Sequence, residues 1–376
     1  VLTAALLLVC GAVAAPVTAA AATTTTRPTT LARGVTFWRQ TFRPAGGGSS
    51  RAVLLHIDLR VARLGIAPAS DGEVVGGPLR RLSYLANTTH AIAGINGDFF
   101  HDSGAPYGGL MRDGRLLASP RPVRIANFFI RSNGTAGVGA VPFTARVTRP
   151  AVSGRASSSR RIASVNSIAD AVDNGWLTYV TRDLVAISLG SRCTAALGST
   201  SKGVSRVSSV ETGARHLARR PAGGWALIAC DSPAAGWMKS KLRANDRVVI
   251  STSFPNGRPR ALLGGGGILV QRGAAYNDKT RLRVTGRNPE TFVCVSRDGR
   301  SVLLGVIDGR SRVSAGVTFH ELTVYMLSQH CYNGMVLDGG GSTEMVARLP
   351  RHTGVTVLNV PSDGDQRPIP DGLFVY

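Results

Sequence analysis

The chain has 376 residues, 43% of them hydrophobic, enough for a sizeable core in one large domain or two smaller ones. Lys and Arg number 44 against 22 Asp and Glu, a formal net charge of +22, and nearly all the basic residues are Arg. No apolar run reaches the ~18 residues of a membrane span, and the scattering of Arg along the chain excludes a basic arm, so charge alone specifies no partner.

The first long apolar stretch, Leu2 to Val17, is nearly all Ala, Leu and Val and is followed by small residues to Ala22. It reads as the h-region and cleavage zone of a secretory signal over residues 1–22, although the basic n-region is missing. Residues 23–33 read as a Thr-rich linker, and 34–376 as one globular domain. Export would place the chain outside the cell. There its charge suits an anionic surface, such as phosphate-bearing wall glycans or acidic headgroups, rather than nucleic acid. Cys10 leaves with the signal. The remaining Cys193, Cys230, Cys294 and Cys331 are an even set in an oxidising compartment. Nearest-neighbour pairing, Cys193–Cys230 and Cys294–Cys331, is preferred among the three arrangements. No CxxC pair supports a thiolate metal site or redox function.

Val53–Leu59 reads as a strand, Leu79–Asn87 as a short helix, and Ala91–Ile95 as a buried strand ending at Asn96. Asp113-Gly114 and Asp298-Gly299 each stand between apolar runs, a strong hairpin signal. Short β runs follow at Trp176–Val180, Leu184–Leu189, Ala226–Cys230 and Arg247–Thr252. One strong helix starts after Thr318, with Glu321 placed for a capping box and apolar residues through Leu327. This order, with many antiparallel signals, predicts an α+β fold: one β-rich domain with mixed or antiparallel sheet and few helices.

Several catalytic signatures fail. His320-Glu321 opens an HExxH pattern, but Val324 stands where the second zinc ligand belongs. Gly264–Gly267 lacks the Lys-Ser/Thr of a P-loop, and no GxSxG elbow occurs. Pro361–Asp365 lacks the alternation and closing Glu of a calcium loop. The chemistry is left to carboxylates, hydroxyls, amides and arginines. No residue pattern calls for a cofactor, although exported carboxylate sites can hold Ca²⁺ or Mg²⁺ and those two ions stay open.

The richest segment is Leu337-Asp338-Gly339-Gly340-Gly341-Ser342-Thr343-Glu344, directly after the apolar run that the strong helix feeds. Three consecutive glycines exceed what a turn requires and permit close approach of a ligand to main-chain N–H groups. Similar β runs ending in polar and glycine residues are Asn96-Gly97-Asp98-Phe99-Phe100, Pro106–Leu110, Leu263–Gly267 and Val306–Arg310.

This set, in this order, resembles the phosphodiester glycosidase family from about Gly34 to Tyr376, most specifically in the LDGGGST and NGDFF segments. The resemblance implies hydrolysis of a sugar-1-phosphodiester at the glycosyl C1–O bond. Such chemistry needs carboxylates, and Asp338 and Asp308 are the first choices, with Glu344 and Asp98 in reserve. Asn96, Ser342, Thr343 and the amides of Gly339, Gly340 and Gly341 would hold sugar hydroxyls or phosphate oxygens. Arg367 and Arg287 are the expected phosphate partners. One departure stands out: relatives usually read Pro-Arg-Thr where this chain has Pro289-Glu290-Thr291. Glu290 replaces a candidate phosphate ligand with a carboxylate and becomes a further acid/base candidate. It keeps two alternatives open, a glycosidase for phosphate-free wall glycan and a non-catalytic wall-binding protein.

Overall fold

A computed structural model describes residues 22–376 other than 69–74, 122–125, 168–171, 173, 186 and 280. Apart from Ala22, the segment read as a signal lies outside these residues. Sheet dominates, and three α-helices occur among the described residues: Leu82–Thr88, Pro233–Lys241 and Phe319–Ser328. The α+β expectation holds, with more strand than helix.

Two sheets position the candidate site. The larger has nine strands. Its path runs from Ala22–Thr25 through Val35–Phe42, Ser50–Asp58, Ser301–Ile307, Glu290–Val295, Asn333–Val336 and Gly267–Gln271 to Ala274–Ala275, and Thr29–Ala32 pairs Val35–Phe42 off that path. Residues 23–33, read as a linker, thus supply two edge strands (Ala22–Thr25 and Thr29–Ala32). The physical reason is that β-branched Thr fits a pleated surface as readily as it fills a low-complexity spacer.

The second sheet has five strands, ordered Thr356–Val357, Met345–Ala347, Ala93–Asn96, Asp371–Val375 and Leu64–Pro68. Between the sheets lie Val53, Leu55, Val293, Leu304, Val306, Met335, Leu337, Ile95, Met345 and Leu373, all fully or almost fully buried. The other face of the nine-stranded sheet is covered by the Phe319–Ser328 helix. Its Phe319, Leu322, Tyr325 and Met326 pack on Phe292, Ile307 and Val336.

That helix begins as its sequence predicts. The Thr318 hydroxyl accepts from Glu321 N–H at 3.3 Å, and the Glu321 carboxylate accepts from Thr318 N–H at 2.9 Å. The Cys294–Cys331 disulfide ties the next strand to the end of this helix–strand connection, and Cys193–Cys230 joins directly opposed residues of two antiparallel strands. Both expected pairings are found.

Further β structure forms a separate five-stranded sheet and an eight-stranded sheet between Thr144 and Ser253. The Pro233–Lys241 helix packs on one face of the latter through Ala234, Ala235 and Met238. Among the described residues no helix is long and apolar enough to cross a membrane.

Candidate active site

The register of two central strands builds the site. Phe292 opposes Val336 and Val293 opposes Met335 in the antiparallel pair of Glu290–Val295 with Asn333–Val336. Extended by two residues, that register would set Glu290 opposite Asp338. The ladder slips by one residue there: Leu337 N–H donates to Thr291 O, but Gly340 rather than Gly339 donates to Pro289 O, each at 2.8 Å, so Asp338 and Gly339 together lie across from Glu290. Glu290, opposite Ile307, points to the face on which the Phe319–Ser328 helix lies, and Asp338 is near enough for its charge to act on the Glu290 carboxyl.

Asp308, expected to partner Asp338, follows a different parity. Ile307 opposes Glu290 on the neighbouring strand, so Asp308, the next residue, points to the opposite face. Its carboxylate accepts from Val360 N–H at 2.9 Å and Asn359 Nδ2 at 3.2 Å. Asn359 in turn bonds Thr343 O and receives Met345 N–H, so Asp308 supports the chain that leaves the glycine loop.

Each glycine of the loop makes room for a charged group. A Cβ on Gly339 would lie 2.8 Å from Glu290 Oε2, and one on Gly340 would lie 3.2 Å from Arg310 Nη2. On Gly341 it would lie 2.1 Å from both Arg367 Nη2 and Asp363 Oδ2. Gly340 also holds φ +61°, a left-handed conformation suited to glycine. Gly339 and Gly340 are half-buried, while Gly341, Ser342 and Thr343 are buried. The accessible part of the loop is thus flanked by Arg310 on one side and Arg367 on the other. Arg367 is paired with Asp363 at 2.6 Å, and Arg310 donates to Asn288 Oδ1 at 2.8 Å.

Burial sets the protonation states. It pushes the Glu290 carboxyl up to about 8, with the Asp338 charge adding to the rise and Arg310 opposing it. Asp338 is raised only to about 6, because the Ser342 hydroxyl, the Arg367 guanidinium and Gly339 N–H hold it down against burial. Glu344 is buried and pushed up to about 8, chiefly by desolvation and then by Asp365, against the pull of Arg81. Asp308 is also raised by burial, against its bonds from Val360 and Asn359 and the charges of Arg51 and Arg39.

The remaining expected residues separate into two groups. Asn96 lies near the loop but is fully buried. Its amide donates to Asp338 O at 2.7 Å, and its carbonyl accepts from Thr291 Oγ1 at 2.7 Å and Glu344 N–H at 3.1 Å. It clasps the two sheets together rather than facing a ligand. Asp98 sits below the loop, accepting from Gly108 N–H at 2.5 Å, while Gly97 O receives Asp338 N–H at 3.0 Å. Arg287 is elsewhere. It pairs with Glu321 at the helix start and reaches Gly316 O and Ala45 O.

Two site residues escaped sequence reasoning. Arg310 lies two residues past Asp308 in a segment already marked by its Asp-Gly punctuation, and that mark was the available signal. Asp371 gave none. It is fully buried, accepts Asp98 N–H at 2.8 Å, and its pKa is raised by burial and then by the neighbouring Asp98 charge.

A phosphodiester glycosidase family model matches residues 207–376, which hold Glu290, Arg310, Asp338, Glu344 and Arg367. Residues 207–376 belong to the phosphodiester glycosidase family. The fold of the chain recurs in solved structures of low identity. A hypothetical protein from Synechocystis superposes with a TM-score of 0.74 at 16% identity, over 91% of this chain and 62% of that one. A putative exported protein from Burkholderia pseudomallei gives 0.71 at 16%, over 96% and 98%. The catalytic domain of zebrafish N-acetylglucosamine-1-phosphodiester alpha-N-acetylglucosaminidase, auto-inhibited by its pro-peptide, gives 0.51 at 13%, over 91% and 82%. In sequence, the SPbeta prophage-derived uncharacterized protein YomE of Bacillus subtilis is 33% identical over 89 residues. That match spans 24% of this chain and 13% of YomE.

Proposed function

We propose that this protein is an exported hydrolase that cleaves the glycosyl C1–O bond of a sugar-1-phosphodiester in an anionic cell-envelope glycan, N-acetylglucosamine-1-phosphodiester being the first candidate. The observation that carries the reading is the neighbouring pair Glu290 and Asp338, with carboxyls at about 8 and about 6, beside a glycine loop flanked by Arg310 and Arg367. A pair whose surroundings split its pKa values divides into an acid and a base. At pH 7 Asp338 is mostly ionised and Glu290 mostly protonated.

In the proposed reaction Asp338 activates water or attacks C1, and Glu290 supplies a proton to the departing phosphate oxygen. The products are free sugar and a phosphate monoester on the other alcohol. Arg310 and Arg367 would offset phosphate charge as it develops on the leaving group. A phosphate leaves readily, so Glu290 also suits a poorer leaving group, which favours an ordinary glycosidic bond as the second reading.

Incubation of the purified chain with an α-GlcNAc-1-phosphodiester tests this, with free GlcNAc and phosphate monoester as the readout. Asp338→Asn is expected to lower kcat by ~10³-fold or more. The rate of the unaltered protein should be bell-shaped, rising through about pH 6 and falling through about pH 8, and Glu290→Gln should remove the alkaline limb. Release of sugar from phosphate-free glycans alone would favour the second reading. No turnover on either substrate from pH 5 to 9 would sink the enzymatic reading.

A further inference from the structure

The charge that is scattered in sequence converges on one sheet face. Between Thr144 and Ser253 the chain has 16 Lys and Arg against 6 Asp and Glu. The strands Ser158–Ile162, Thr144–Arg149, Arg247–Ser253 and Val204–Thr212 lie side by side. On one face Ile162, Ala145, Val147, Val248 and Val207 are buried in the core under the Pro233–Lys241 helix. On the other, Arg146 directly opposes Arg161, and Arg206 directly opposes Arg247. All four arginines are exposed, and none has an acidic partner among the described residues.

Opposed like charges on antiparallel strands are destabilising. Two such pairs on one face, four residues apart along Arg247–Ser253, form a cationic strip ~13 Å long. Around Arg146 and Arg161 the surface forms a cavity of about 640 Å³ that is also lined by Ser159, Arg160, Asn174 and Trp176. Arg146 donates to Ser159 Oγ at 2.8 Å, which holds its guanidinium over the sheet. Guanidinium forks match phosphate oxygens, and an indole offers an apolar platform with a polar edge.

We infer that this face, with its Arg146–Arg161–Trp176 cavity, is a non-catalytic docking site for a phosphate-bearing glycan chain. The choice of polymer rests on the sugar-phosphate reading of the Asp338 site. The face repays the cost of its unopposed charges only when a polyanion lies across it. Docking would hold a long substrate on the enzyme between cleavages, without contact to the reacting bond.

The test uses the full chain and, as probe, a poly(glycerol phosphate) carrying GlcNAc substituents. Variants are Arg146→Gln with Arg161→Gln, Arg206→Gln with Arg247→Gln, and Trp176→Ala. Each Arg pair is expected to weaken binding at least ~10-fold at 50 mM salt, with little difference left at 500 mM. Thermal midpoints of the Arg variants should stay level or rise, which separates lost binding from lost folding. Trp176→Ala should weaken the GlcNAc-bearing chain more than unsubstituted polyphosphate. Turnover of a small phosphodiester should be unchanged in the Arg variants, while KM for the polymer rises. Unaltered polymer affinity in both Arg pairs would overturn the proposal. So would equal or tighter binding of duplex DNA, or of vesicles of anionic lipid, with the same Arg and Trp dependence. If the unaltered protein turns over no small phosphodiester, the catalytic reading fails while the binding measurements still decide this one.

Discussion

Gly341 is the residue at which space and chemistry separate most cleanly. Its hydrogen occupies the place where a methyl group would meet Arg367 and Asp363 side-chain ends. Those ends can swing away, so Gly341→Ala should cost under about 1 kcal/mol in stability. The same swing removes Arg367 from the loop, and kcat/KM on a phosphodiester should fall ~10-fold. A loss of activity matched by an equal loss of stability would contradict this. Glu344 makes the opposite case. Its carboxyl is raised to about 8, so the folded state binds its proton more tightly than the unfolded state. Stability from this residue is therefore present at low pH and lost as pH rises from the ordinary Glu range toward about 8. Glu344→Gln should leave the unfolding midpoint unchanged near pH 4 and raise stability by about 2 kcal/mol at pH 8. Denaturant unfolding at the two pH values checks the sign.

At the scale of elements, local signals were readable and pairings were not. The capping box at Thr318 and Glu321 announced its helix, and the Asp298-Gly299 turn announced the hairpin between Glu290–Val295 and Ser301–Ile307. Thr318→Ala should cost about 1 kcal/mol, read by thermal or denaturant unfolding. The Pro233–Lys241 helix was missed although Ser232 caps it and Pro233 opens it. Its apolar side chains are two alanines with Trp237 and Met238, clustered in a nine-residue helix, so periodicity is faint. The glycine loop and Asp338 could be found because their signal lies within eight consecutive residues. The choice of Glu290 over Asp308 as the carboxyl beside Asp338 could not. It depends on which strands are neighbours and on a register joining residues 48 positions apart, neither of which has a local signature. Arg287 shows the converse error. It lies near Glu290 in sequence, yet a nearby helix start offered it a buried carboxylate.

For the whole molecule, composition limited the answer without giving it. A net charge of +22 excluded little while the arginines were read along a line. Folding sorts them into an Arg pair at the glycine loop, ion pairs such as Arg155–Asp246, and an unopposed strip on the eight-stranded sheet. Sequence alternation could reveal which arginines were exposed but not that four strands would align them. The two disulfides close loops of equal sequence separation in different sheets. Replacing Cys294 and Cys331 together should cost about 2–4 kcal/mol and act on the sheet that carries Glu290. The same change at Cys193 and Cys230 should cost a similar amount and leave small-substrate kcat unchanged. Calorimetry and kinetics on the two double variants would show whether the lesions separate in this way.

Asn96 should separate the loss of the site from the loss of the fold on warming. One amide side chain holds Asp338 and Thr291 on the nine-stranded sheet and Glu344 at the entry to the other sheet. A small parting of the sheets would break those bonds before either sheet loses its own ladder. On warming, the carboxyl pair should therefore fall out of alignment while far-UV circular dichroism still reports intact strands. Catalysis would then fail at a lower temperature than the fold, and Asn96→Ala would widen that interval.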